Sequence, residues 1–194
     1  MSRKNESTRN RILKSAWTLL EKGEGPVRMS DIAKAAKISR QALYLHFPNR
    51  ADLLIAVTRH LDEVHDVEAR LAESRMAPSG VKRLQAWIAA WGDYIPQIHG
   101  VARALMAMRD HDAEARAAWE GRMAAMREGC AAAVAALEAD GDLREGLSPV
   151  EATDLLWSLL SVRVWEQLRL DCGWPQERYI AVTQETARRA LVGG

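Results

Sequence analysis

The sequence has very little that would make a strand. Nowhere do β-branched residues alternate with polar ones, and Ala, Leu, Arg, Glu and Met dominate. That excludes a sandwich or barrel and leaves an all-α fold. Long apolar runs are missing too. None approaches the roughly 20 residues a helix needs to cross a bilayer. No apolar segment that could act as a signal peptide follows Met1-Ser2-Arg3-Lys4-Asn5-Glu6. No membrane partner is expected. The two cysteines, Cys130 and Cys172, sit in no metal-type or redox-type pair, so a reducing cytoplasm is the simplest setting. There is no glycine-rich phosphate loop and no Ser-His-Asp or Cys-His arrangement. His60 and His65 lie near Asp62, Glu63 and Asp66, but their five-residue spacing points them to different sides of a helix, which reads as a solvated polar face. His111, between Asp110 and Asp112, reads as part of a loop or helix cap. Catalytic residues, metal ligands and cofactors are therefore not expected.

The formal net charge of +1 conceals an uneven distribution. Residues 1–60 carry 12 Lys and Arg against 5 Asp and Glu, a balance of +7, and the remaining residues carry 15 against 21, a balance of −6. A basic first third on an acidic remainder suggests two parts that meet different partners, the basic one suited to a polyanion. The length of 194 residues fits a small domain fused to a larger one.

About nine helices are expected. The first runs from about Glu6 to Lys22 with Ile12, Leu13, Ala16, Trp17 and Leu20 inward, and Gly23, Gly25 and Pro26 end it. Ser30 can cap a second, carrying Ile32, Ala33 and Ala36. Ser39 can cap a third, Arg40 to Phe47, which Pro48 stops. Asn49 caps a long fourth helix that runs to the break at Pro78-Ser79-Gly80. The fifth carries Leu84, Trp87, Ile88, Trp91, Tyr94 and Ile98, with Pro96 expected to kink or stop it, and a short sixth covers Val101 to Met108. Trp119, Met123, Met126, Cys130, Ala133 and Leu137 form one stripe on the seventh. Ser148-Pro149-Val150-Glu151 has the form of a capping box and opens an apolar helix ending at Gly173; Pro175 starts the last.

The informative stretch is Ser30 to Leu53. Two short capped helices joined by a tight turn at Lys37-Ile38 make a helix-turn-helix, whose second helix lies in the major groove of DNA. With Ile32, Ala33, Ala36, Ile38, Leu43 and Phe47 inward, Arg40, Gln41, Ala42, Tyr44 and His46 face out. Arg can read guanine, Gln adenine, and Ala can meet a thymine methyl. The pattern Ile32-Ala33-x-x-Ala36-x-Ile38-Ser39-x-x-x-Leu43-Tyr44-x-His46-Phe47-Pro48-Asn49-Arg50-x-x-Leu53 resembles the tetracycline-repressor (TetR) family over about the first sixty residues.

The resemblance implies a DNA-binding domain over 1–50 and a helical ligand-binding and dimerisation domain over 51–194. It implies phosphate contacts by Tyr44, His46 and Arg50, a Ser39 that caps the reading helix and touches the backbone, and base reading by Arg40, Gln41 and Ala42. Ser30 joins this set as the residue opening the second helix. Lys37 stands where the family usually has Gly, which puts a spare cation near the DNA. Arg50 stands where it usually has Lys, which keeps the charge and changes the geometry.

The resemblance also places a pocket among helices four to eight, and Trp87, Trp91, Tyr94, Met106, Trp119, Met123, Met126 and Trp157 are its expected walls. The ligand expected there is small and mostly apolar or aromatic. The plain alternative for each of these side chains is core packing. The last two helices are implied as a homodimer interface, through Leu156, Leu160, Val164, Ile180, Thr183, Ala187 and Leu191. The function expected is that of a transcriptional regulator, a ligand-relieved repressor binding a palindromic double-stranded operator. Two rivals stay open: a ligand-independent DNA-binding protein, and a helical carrier or enzyme with a basic N-terminus.

Overall fold

The computed structural model describes residues 7–23 and 25–193. Its helices are α1 Thr8–Lys22, α2 Met29–Ala35, α3 Arg40–His46, α4 Arg50–Val64, α5 Val67–Arg75, α6 Gly80–Met108, α7 Ala113–Asp140, α8 Pro149–Leu159, α9 Val162–Glu166 and α10 Gln176–Leu191, with a π turn at Gln167–Asp171 between the last two. Among the described residues the sole strand-like pairing is an isolated bridge between Leu143 and Val192. The expected start of the first helix at Glu6 lies outside the described residues.

Three helix boundaries depart from the periodicity, each for a local reason. The expected long fourth helix divides into α4 and α5 at Asp66, which adopts φ 48 and caps α5 by accepting the Ala69 amide. The expected fifth and sixth helices are one, α6, which runs through Pro96 and Gly100. Ile95 and Val101 are buried on either side of the proline, and Gly100 meets α1, where a Cβ would lie 2.9 Å from Glu21 Cγ. Packing there outweighs one lost hydrogen bond. The apolar helix from Pro149 stops at Leu159, because Ser161 caps again by accepting the Val164 amide. The capping box at Ser148 and Glu151 forms as its spacing predicts.

The chain divides into two compact units. One comprises residues 1–64 with 98–122, the other 65–97 with 123–194, a division unlike a cut at residue 50. In the first unit, Ile12, Leu13, Ala16 and Leu20 of α1, Ile32 and Ala33 of α2, Leu43 and Phe47, and Leu53, Leu54, Val57 and Leu61 of α4 are all buried. His60 is buried with them, its ring edge-on to Trp17 at 6.3 Å and Glu63 3.6 Å from Nδ1. It does not lie on a solvated face.

In the second unit α6 and α7 approach closely. A Cβ on Gly80 would lie 2.6 Å from the Ala136 backbone, and one on Gly129 would overlap the ring of Trp87. Met126, Cys130, Ala133 and Leu137 of the α7 stripe are buried. Burial pushes the Cys130 thiol up to about 12, against the opposing effects of Trp87 and Arg127, so it is a packing group rather than a nucleophile.

Candidate nucleic-acid interface

The helix-turn-helix hairpin of α2 and α3 is built by two kinds of terminus. α2 ends in a Schellman arrangement: the Ile38 amide donates to Ala33 O at 3.0 Å and the Lys37 amide to Lys34 O at 3.1 Å. The motif requires a left-handed residue, and Lys37 supplies it at φ 55. Ser39 then starts α3, its hydroxyl accepting the Ala42 amide at 3.0 Å. Phe47, buried beneath the Arg9 guanidinium at 5.2 Å, ends the helix in extended conformation ahead of Pro48. Asn49 and Asp52 bond reciprocally to open α4: the Asp52 amide donates to Asn49 Oδ1 at 2.8 Å and Asn49 Nδ2 to Asp52 Oδ2 at 3.0 Å.

On α3 only Leu43 is buried, and Ala42 is half-buried. Arg40, Gln41, Tyr44 and His46 are exposed and, with Lys37, form no side-chain hydrogen bond or ion pair among the described residues. Apart from the half-buried Ala42, the expected readers are thus exposed around α3 with their donors and acceptors uncommitted. Leu45 belongs to the same surface at 83% exposure. Its place one helical turn beyond Gln41 could have revealed it, and an apolar side chain there suits a thymine methyl or a sugar.

Two expected site residues are placed otherwise. Ser30 caps nothing. α2 begins at Met29, which is buried, with Arg28 in the cap position and Ser30 exposed in the first turn. Arg50 is no free phosphate ligand. Its side chain is only 13% exposed and is spent inside the unit, Nε on Val27 O at 2.6 Å and Nη1 on Asp112 Oδ2 at 2.6 Å and Glu114 Oε2 at 3.2 Å.

The expected pocket residues are divided between the two units. Met106 and Trp119 belong to the first unit and the other six to the second. Trp91 and Tyr94 are buried core, their rings 6.2 Å apart, and Trp91 Nε1 donates to Leu160 O at 2.8 Å. That carbonyl is free to accept because the helix breaks at Leu160. Met126 is core as well, 3.9 Å from Cys130 Sγ. Trp87 does line a cleft, of about 260 Å³, with Leu71, Ser74, Arg83, Gly129 and Ala132 among its other walls.

The expected dimer residues are mostly interior. Leu156, Leu160, Thr183, Ala187 and Leu191 are at most 2% exposed within the chain itself, so they have no surface left for a second copy. Val164 and Ile180 are half-buried. The apolar side chains left uncovered on these elements are Val150, Leu155, Leu170 and Val182. Among the described residues no group of three potential metal ligands comes together, and no helix is long and apolar enough to cross a membrane.

Residues 12–57 match the family model of bacterial regulatory proteins, tetR family. The chain is 36% identical over 81 residues to ArpR, a probable HTH-type transcriptional regulator of Pseudomonas putida, covering 40% of this chain and 39% of that protein. It is 37% identical over 70 residues to the HTH-type transcriptional regulator TtgR, also of Pseudomonas putida, covering 36% of this chain and 33% of TtgR. These alignments span well under half the length of either relative. A transcriptional regulator of Saccharomonospora viridis, solved in complex with choline, superposes with a TM-score of 0.73 at 18% identity over 95% of this chain and 97% of that one. The last likeness concerns the fold alone, and it covers 95% of this chain. The likeness to the tetR family of bacterial regulatory proteins is thus carried by residues 12–57, the segment that holds the helix-turn-helix.

Proposed function

We propose that this chain is a cytoplasmic transcriptional repressor, not an enzyme, that binds a palindromic double-stranded DNA operator as a homodimer and is released by a small ligand. One observation carries the reading: α3 presents Arg40, Gln41, Tyr44 and His46 on a capped, core-anchored helix with every side chain uncommitted. Such groups are chemically free to meet base edges and phosphates. In a symmetric dimer the two reading helices would enter major grooves about 34–36 Å apart or a multiple of that. The uncovered Leu155 and Val182 are the suggested subunit contacts. The ligand reading draws on the cleft at Trp87 and on the choline held by the Saccharomonospora viridis relative. A small, mostly apolar or aromatic compound suits its indole wall.

The test starts from a duplex selected by the wild-type chain out of a randomised pool. Gln41→Ala should weaken binding to that duplex by about 1–3 kcal/mol and relax the preferred sequence. Equal losses on the selected and a scrambled duplex would remove Gln41 as a base reader.

A further inference from the structure

α4 is fastened at both ends. At its first residue the Arg50 guanidinium gathers four segments of the first unit. Nε takes the Val27 carbonyl, which leads into α2. Nη1 takes Asp112, in the turn between α6 and α7, and Glu114 at the start of α7. Nη2 lies 3.8 Å from Met108 Sδ at the end of α6. At the other end Asp62 receives Arg122 of α7 in two parallel bonds of 2.6 and 2.8 Å.

Asp112 is itself fixed. Its Oδ1 accepts the Glu114 and Ala115 amides, each at 3.1 Å, and so caps α7. Its Oδ2 is the oxygen that holds Arg50. Charge-assisted bonds of this kind are about twice as strong as neutral ones. Drawing Arg50 out to a phosphate would leave a partly buried carboxylate unpaired.

We propose that Asp112 is a positioning residue for operator binding: through Arg50 it fixes the start of α4 and the entry to α2, and so the pose of the hairpin that carries α3. Arg50 then serves DNA binding from inside, not as a phosphate ligand. The inference rests on α3 as the DNA-reading helix. It adds a route by which the α6–α7 turn, far along the sequence, governs that helix.

The two roles for Arg50 predict opposite salt behaviour. A phosphate ligand releases counterions, and its loss makes the fall of log K with log salt shallower by about one unit. A positioning residue changes affinity for the cognate sequence and leaves the slope alone. The experiment uses the full chain, the selected duplex and a scrambled duplex, over a range of salt, with Arg50→Gln, Asp112→Asn and the double variant. Asparagine keeps the capping oxygen, and circular dichroism verifies the fold of each. Arg50→Lys, which keeps the charge and loses the fork, provides a milder second reading.

Each single variant should weaken the selected duplex by about five- to tenfold. The double variant should lose no more than the worse single, and the slope and the scrambled duplex should not change. The proposal is overturned if Asp112→Asn tightens both duplexes, the mark of a freed cation. It is overturned equally by a shallower slope in Arg50→Gln, by additive losses, or by no effect of Asp112→Asn. A wild type that fails to distinguish the two duplexes would defeat the DNA-reading role of α3 itself, a separate failure visible before any variant is made.

Discussion

The outward surface of α3 and the apolar stripes of α8 and α10 handle their side chains in opposite ways. On α3, polar groups with strong bonding capacity face solvent and bond to nothing. On α8 and α10, Leu156, Thr183, Ala187 and Leu191, with Leu160 just beyond α8, are covered completely by their own chain. Unsatisfied polar groups in water cost nothing, so a short helix can display them for a partner that arrives later. Apolar surface drives its own burial, and whatever the chain can cover it covers before a second copy can. A stripe of leucines on a well-packed helix therefore identifies a core, and the proposed subunit contact is left to side chains that the core does not cover.

The sharpest way to break that comparison is to charge each kind of position. Leu160→Glu places an unpaired carboxylate at a fully buried site, a cost of more than about 4 kcal/mol. Its thermal midpoint should fall by roughly 8 °C or more. Leu155→Glu, at a position 51% exposed, should melt within about 2 °C of wild type but scatter light as a monomer, where the proposed homodimer is the expected state of wild type. Stable, folded monomers from Leu160→Glu would mean that the stripe lies between subunits after all.

A smaller effect sharpens the interior side. Gly129 lies under the Trp87 ring, and an added methyl would overlap Cη2 and Cζ2 and come within 2.7 Å of Cζ3. A rigid ring over a helix backbone has little room to yield, so overpacking should cost about 1–3 kcal/mol. Alanine regains up to about 1 kcal/mol in helix propensity. Gly129→Ala should thus destabilise on balance and shift Trp emission, because Trp87 must move. Trp87→Phe in the same background should recover part of the loss. An unchanged midpoint and spectrum in Gly129→Ala would show that this contact is looser than its geometry.

What could be read in the sequence was what is decided locally. Ser39 and the Ser148–Glu151 box cap as their spacing predicts, and Asn49 opens α4, because a cap involves residues three apart. Pro96 did not end its helix, because buried neighbours on both sides hold the turn. Arg50 shows the limit on the site. Its charge and its place at the start of a helix point to a phosphate, yet its partner Asp112 is 62 residues away, and nothing local announces it. The stripe on α8 shows the limit on the interface, since periodicity locates an apolar face without telling which chain covers it.

The mildest prediction concerns the turn inside the reading hairpin, where display and packing compete at one residue. Lys37 holds φ 55 to complete the end of α2, a conformation that costs a side-chain-bearing residue about 1–2 kcal/mol. Glycine removes that strain but enlarges the entropy of the unfolded chain, which returns about 0.4–1 kcal/mol. Lys37→Gly should therefore gain between about 0 and 1.6 kcal/mol and raise the midpoint by at most about 6 °C. The same change removes an exposed cation beside α3. If that cation meets the DNA backbone, binding should weaken about equally on selected and scrambled duplexes, with a slope shallower by up to about one unit. A stabilised protein with weaker, less salt-dependent binding would mean that the strain in this turn is maintained for the charge it carries. A lower midpoint would mean that the left-handed lysine is supported by contacts glycine cannot make. An unchanged slope would remove Lys37 from the DNA interface and leave its charge without a partner there.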